Sequence, residues 1–165
     1  MGEGVETGAR PAGLYAQTAM RIEKRFLAMG HDLDSDITPL EAGLDFAVAW
    51  ARDFIGREAL LKCRERGPAS RLVTLLLDDR NAVPLGNEPV VLDGRIVGQT
   101  TSAAYGYRIG RPLALAYVAA ELARDGQSLA VDIAGTSFAG RVATAPAFDS
   151  EGARMRRRAA GANEA

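Results

Sequence analysis

The sequence predicts an α+β fold, in which a helix-containing segment over residues 11–67 leads into an antiparallel β-barrel over residues 68–149. Two observations carry this. Leu14, Thr18, Ile22, Phe26 and Met29 recur at spacings of four, four, four and three, which sets them on one helical face. After Gly67-Pro68 the texture changes to short runs rich in β-branched residues and leucine. Turn residues separate the runs, and no long helix lies between them.

The elements follow in order. Pro11 suits a first helical turn and Gly30 a C-terminal cap, so the first helix is predicted over residues 12–29. Glu23 sits one position past Ile22, at the edge of the apolar stripe. A polar loop from His31 ends at Thr38-Pro39, followed by a fixed turn through Leu40–Leu44. In that turn the Glu41 carboxylate is expected to satisfy backbone donors. Phe46, Val48 and Trp50 suggest a short strand over 45–50. Ala59, Leu60 and Cys63 share a face of a helix over Arg57–Arg66, which Gly67-Pro68 stops. Arg71–Leu77 reads as a strand. Pro89–Leu92 and Arg95–Thr101 flank Asp93-Gly94, a strong hairpin signal. Leu113–Val118, Ser128–Ala134 and Thr136–Ala145 complete the barrel. Residues 1–10 are expected to be disordered and 150–165 to form a basic flexible tail. The barrel half is expected to fold alone, with 11–66 loosely attached.

Composition excludes several classes of function. Of 165 residues, 47% are hydrophobic and 25% charged, the balance of a globular chain. With 20 Lys+Arg against 21 Asp+Glu the net charge is −1, so no nucleic-acid partner is expected. One cysteine and one histidine exclude a disulfide framework and leave little for a metal site. The acidic start is not a secretory signal, and no apolar run approaches the roughly 18 residues of a membrane span. A cytoplasmic location, or an organelle matrix, is expected, with no membrane partner.

The residue patterns alone name few chemical candidates. Arg154–Arg158 reads as a solvated charge run without interleaved aromatics. Cys63 reads as an inert, buried thiol and His31 as a surface or capping residue. Tyr105–Gly110 lacks the Lys-Ser/Thr ending of a phosphate loop and reads as a strand corner or a tight loop. A single histidine gives hydrolase chemistry little support. Glu23 and Arg52 remain. They read either as a surface ion pair or as a carboxylate and guanidinium that bind a polar heterocycle with an anionic tail, and spacing leaves both open.

Longer motifs narrow the choice. Arg21-Ile22-Glu23-Lys24, then Thr38–Leu44, then Asp53-Phe54-Ile55-Gly56-Arg57-Glu58-Ala59-Leu60 resemble the folate-binding aminomethyltransferase family of the glycine cleavage T-protein. Asp93–Gly98 followed by Thr100-Thr101-Ser102 resembles the hairpin and threonine–serine segment of that family's C-terminal barrel. Asn87–Val90, Ser102–Gly106, Ala114–Val118 and Phe148–Gly152 with Arg154-Met155-Arg156 resemble the dimethylglycine and sarcosine dehydrogenases. In those enzymes a FAD-dependent amine-oxidising domain precedes the folate-binding half.

The resemblance covers residues 11–158 and implies a tetrahydrofolate ligand. It also implies a part in one-carbon transfer to tetrahydrofolate from an aminomethyl or N-methyl amine donor. Glu23 stands where the family's carboxylate holds the pterin, Arg52 where some members contact folate more distally, and Tyr15 approaches from the same helix. The family's catalytic aspartate belongs to an N-terminal region with no counterpart in these residues, so no catalytic residue is assigned. A dinucleotide-binding glycine fingerprint is absent too, which places any FAD in an upstream domain. The chain is therefore expected to need the N-terminal domains of a parent protein and to be inactive without them. The rival expectation is a stand-alone β-barrel interaction module that no longer binds folate.

Overall fold

A computed structural model describes residue 6 and residues 8–156. Helix α1 (Leu14–Glu23) is followed by a 3-10 turn (Asp45–Ala47) and helix α2 (Arg57–Arg66). Strands β1 (Ser70–Leu77), β2 (Pro89–Leu92), β3 (Arg95–Gly106), β4 (Arg111–Ala119), β5 (Ser128–Ile133) and β6 (Thr136–Ala143) come next, then a short helix α3 (Ala153–Arg156). The strands close into an antiparallel barrel in the order β1-β4-β3-β2-β5-β6, so the α+β class with a C-terminal barrel stands.

Local chemistry explains the hairpins. Asp93 and Gly94 adopt φ of 49° and 75°, the two consecutive positive values that a tight turn matched to strand twist requires. Ala134 and Gly135 repeat this at 51° and 83°, and the Asp132 carboxylate accepts from the Gly135 N–H at 2.8 Å. The strand after Asp93-Gly94 runs to Gly106, five residues past the predicted end. β4 pairs with it from Gly98↔Val118 to Gly106↔Arg111, with a register shift between Thr100 and Ser102. Gly98 is needed at a close approach: a Cβ there would lie 2.2 Å from the Tyr117 carbonyl oxygen.

Two apolar clusters build the core. One fills the barrel and includes Val73, Leu75, Leu77, Val90, Val118 and Val131. The other lies outside the barrel wall, where Ile22 of α1 packs on Leu72, Leu113 and Leu115. Side chains on both faces of β1 and β4 are thereby covered, which explains why Leu72–Leu75 and Pro112–Ala116 are buried without alternation. Full burial of Ile22 contributes about 2 kcal/mol.

Three expectations are corrected. The first helix ends at Glu23, not at residue 29, because Arg25 takes φ 55° and sends its guanidinium to the carbonyls of Leu72 and Thr144. Met29 and Phe26, expected on the apolar face of that helix, lie beyond its end and are exposed. Residues 45–50 are not a strand, since a closed barrel offers no free edge for another. Instead Val48 N–H donates to the Asp45 carbonyl at 3.2 Å and the Trp50 indole to the same oxygen at 3.3 Å. Finally, α2 buries none of its residues, and Cys63 is half-buried rather than enclosed.

Residues 19–44 lie against the barrel through many polar contacts, described below. Of the predicted disordered start, residues 1–5 and 7 lie outside the described residues, as do 157–165 of the predicted basic tail. Residues 153–156 of that tail form α3.

Candidate functional site

A network of polar contacts joins α1 to the barrel wall. After α1 the chain turns back on itself. The N–H groups of His31, Asp32 and Leu33 all donate to the Ala28 carbonyl, at 3.2, 2.9 and 3.2 Å. This turn buries the Asp32 side chain completely. Its Oδ2 accepts from Arg21 Nη1 at 2.7 Å and from the Ala28 N–H at 3.0 Å, while Oδ1 accepts from the Thr101 hydroxyl at 2.6 Å. Arg21 Nη2 donates to Ser102 Oγ at 2.9 Å. The Tyr117 hydroxyl donates to the Asp32 carbonyl at 2.9 Å. Burial, aided by the carboxylates of Asp32, Glu41 and Asp34, pushes the Tyr117 phenol well above its ordinary value, so it remains a donor.

Thr101 reaches Asp32 because β3 is irregular there. Its register against β4 shifts between Thr100 and Ser102, and the extra residue is Thr101. Sequence reasoning quoted Arg21, Thr101 and Ser102 within motifs and placed Asp32 only in a polar loop. No spacing rule links residues this far apart.

Beside this network lies a cavity of about 950 Å³ between α1, the segment after β1 and the end of β3. Its walls include Tyr15, Tyr105 and Tyr107, with Arg21, Arg80 and His31 as the charged or titratable members. Tyr105 and Tyr107 meet edge to face, with ring centres 5.2 Å apart. Among the described residues that line it there is no Asp or Glu. Arg21 is held by Asp32, whereas Arg80 forms no ion pair among the described residues.

A second cavity, about 830 Å³, has the opposite character. It mixes the cations Lys24, Arg25 and Arg71 with the acids Glu41, Asp149 and Glu151. Much of this charge is already used. Lys24 Nζ lies 2.8 Å from Asp149 Oδ2. Glu41 accepts from the Thr38 N–H at 3.0 Å, the Thr38 hydroxyl at 2.7 Å and the Ser70 hydroxyl at 3.0 Å, which is the structural role expected for it. Desolvation lowers the Arg25 guanidinium from its ordinary value, though it spends its donors on two carbonyls. The first cavity thus has an aromatic lining without acids, and the second a lining of opposite charges mostly engaged with one another or with the backbone.

The three residues singled out from sequence do not converge. Tyr15 lines the aromatic cavity and is exposed. Glu23 is only 2% exposed, and its Oε1 accepts from the backbone N–H groups of Arg108 at 2.7 Å and Ile109 at 3.2 Å. This carboxylate fastens α1 to the β3–β4 turn and does not line the aromatic cavity. Arg52 is exposed on the segment before α2, and also lies outside that cavity. Sequence reasoning missed Tyr105 and Tyr107, which it placed in a tight loop. Their aromatic spacing beside Arg108 was the available signal.

Comparison with known proteins agrees with this architecture. The family model described as the glycine cleavage T-protein C-terminal barrel domain matches residues 70–149, and that of the GCVT N-terminal domain matches residues 1–52. The mitochondrial dimethylglycine dehydrogenase of Rattus norvegicus is 39% identical over 158 residues, covering 94% of this chain and 18% of the relative. An aminomethyltransferase of Symbiobacterium thermophilum is 37% identical over 149 residues, covering 89% of this chain and 40% of the relative. The crystal structure of glycine cleavage system aminomethyltransferase T from Bartonella henselae superposes with a TM-score of 0.77 at 26% identity, over 84% of this chain and 40% of that one. The chain thus spans less than half the length of each of these relatives.

Proposed function

The chain belongs to the glycine cleavage T-protein family, and on that premise we propose that it forms one wall of a tetrahydrofolate site. In this reading it is the C-terminal part of a larger protein that transfers a one-carbon unit to tetrahydrofolate. The donor is an aminomethyl group or an oxidised N-methyl amine. The reacting residues, and FAD if the parent uses it, belong to upstream domains. None of the described helices is long and apolar enough to cross a membrane, and the reading places the work in the cytoplasm or an organelle matrix.

The observation that carries this is the cavity walled by Tyr15, Tyr105 and Tyr107 and supplied with cations but no acid. Tetrahydrofolate is an elongated anion with flat rings. Aromatic walls offer its rings large contact areas, and a guanidinium matches a carboxylate. Tyr15 acts as a direct contact. Glu23 acts indirectly, by fixing the β3–β4 turn that carries Tyr107. Arg52 would meet folate only at a surface shared with another domain.

Calorimetric titration of the chain with tetrahydrofolate tests this. Saturable binding that weakens in Tyr105→Ala supports it, whereas heat of dilution alone defeats it. An interaction module is the second reading, favoured by Phe46 and Ile55, exposed at 85% and 105%. It predicts that the chain binds no folate and that Phe46→Ser with Ile55→Ser abolishes its association with a partner chain or with a second copy.

A further inference from the structure

The Arg21 guanidinium is held from three sides. Its Nη1 donates to the Phe26 carbonyl at 3.2 Å and to Asp32 Oδ2 at 2.7 Å, and its Nη2 donates to Ser102 Oγ at 2.9 Å. The acceptors belong to the end of α1's turn, to the buried loop after it and to β3, so three separate pieces of backbone fix one planar group. A guanidinium carries five N–H donors in a rigid plane. Both on Nη1 and one on Nη2 are spent, which leaves the Nε–H and the second Nη2–H without a partner among the described residues. Arg21 lines the aromatic cavity, and 16% of its side-chain surface stays accessible.

We propose that Arg21 donates hydrogen bonds to an oxygen of the ligand in that cavity and that Asp32 is its positioning residue, an inference that rests on the folate reading above. Adhesion alone is a poor reason for the pair. A buried ion pair loses to desolvation much of what attraction gains, and apolar residues of similar volume would hold α1 to β3 as well. What they could not do is fix the direction of two N–H groups. Asp32 can, because its own two oxygens are pinned by Arg21, the Ala28 N–H and the Thr101 hydroxyl. No Asp or Glu stands in the described lining, so no carboxylate there competes with a ligand oxygen for the free donors. Asp32 is fully buried, lies outside the lining and balances the Arg21 charge. Arg21 therefore acts through directed N–H groups rather than through net charge, and its contribution is insensitive to salt.

Arginine side-chain NMR of the chain, with tetrahydrofolate as the probe and calorimetry beside it, tests this. In the free chain Arg21 is expected to give separate Nη1 and Nη2 signals, since three acceptors block rotation about Nε–Cζ. A single averaged signal overturns the positioning role, whether or not any Asp32 variant folds. Added tetrahydrofolate should shift the Arg21 Nε–H signal. Arg21→Lys keeps the charge but carries all its donors on one nitrogen, and it should bind about tenfold more weakly, equally at low and high salt. Asp32→Asn should lose a similar factor. Glu41→Gln, altered outside the cavity, should bind as the parent chain does, which separates lost positioning from lost stability. If tetrahydrofolate binds while the Nε–H signal stays put and Arg21→Lys matches the parent, the Arg21 contact is overturned and the folate reading survives. An Asp32→Asn chain with the parent's affinity overturns the role of Asp32 alone. If tetrahydrofolate does not bind, the folate reading fails and this inference with it.

Discussion

Asp32 and Thr101, 69 positions apart in the chain, are joined by a 2.6 Å hydrogen bond from the threonine hydroxyl to a fully buried carboxylate. That contact, with the Arg21–Asp32 ion pair at 2.7 Å, welds the turn after α1 to the bulge of β3. It also stiffens the wall of the aromatic cavity, since Arg21, Thr101 and Ser102 all belong to that wall.

Removing the carboxylate leaves a largely buried guanidinium without its counterion. Asp32→Ala should therefore cost about 3 kcal/mol, and Thr101→Val, which strips one hydrogen bond, about 1 kcal/mol. Urea denaturation of the two variants checks both values, and an Asp32→Ala midpoint equal to that of the parent chain would contradict the account.

The Glu41 carboxyl gives stability a defined acid dependence. Burial acts to raise its pKa, but hydrogen bonds from Thr38 and Ser70 outweigh burial, and the net shift is downward. A lowered folded pKa means that its contribution is complete above the ordinary carboxylate value of about 4.3 and is lost as pH falls through the folded value. Glu41→Gln should thus be less stable than the parent chain at pH 7, with the gap closing toward pH 3. Thermal melts across that range read the gap directly, and a constant difference would argue against it.

Packing at the β3–β4 seam leaves no room for a methyl group. A Cβ on Gly98 would stand 2.2 Å from the Tyr117 carbonyl oxygen and 3.0 Å from Val118 Cα, both backbone atoms that move only if the strands separate. Gly98→Ala is expected to destabilise by about 3 kcal/mol, at the upper end for overpacking. A melting temperature within a degree of the parent's would show that the seam is looser than drawn.

Tyr15 is 93% exposed, so its ring contributes little to folding and is available to a ligand. Tyr15→Ser should leave the melting temperature unchanged and weaken tetrahydrofolate binding several-fold, on the scale of one aromatic contact. Calorimetry on the two proteins supplies the comparison. An unchanged affinity would remove Tyr15 from the site.

Protease sensitivity should divide the N-terminal part in a way the predicted boundary does not. Residues 51–67 include α2, which buries none of its side chains, whereas residues 19–44 are held by Ile22, Glu23, Asp32 and Glu41. Limited proteolysis should cut first within 51–67, and the released 19–44 region should stay with the barrel. Early cleavage between residues 24 and 40 would overturn this.

The sequence by itself determined the elements whose signals are local. Asp93-Gly94 dictates its turn because Asp and Gly both tolerate the positive φ that the turn needs, and Gly67 ends α2 because glycine accepts its φ of 78°. Family membership was legible for the same cause, in contiguous runs such as Thr38–Leu44 and Asp93–Gly98. Only the tertiary structure decided where the chemistry lies. The helical stripe predicted to 29 breaks after Glu23, because Arg25 finds its partners on Leu72 and Thr144, far along the chain. Glu23 looked from its helix position like a cleft carboxylate. Packing of α1 on the β3–β4 hairpin brings the Arg108 and Ile109 N–H groups to it and buries it. The residues that do share a cavity, Tyr15, Arg80 and Tyr105, come from separate elements, and no periodicity within one element can place them together. Local backbone preference is written residue by residue, whereas a binding surface depends on the long-range contacts that barrel closure creates.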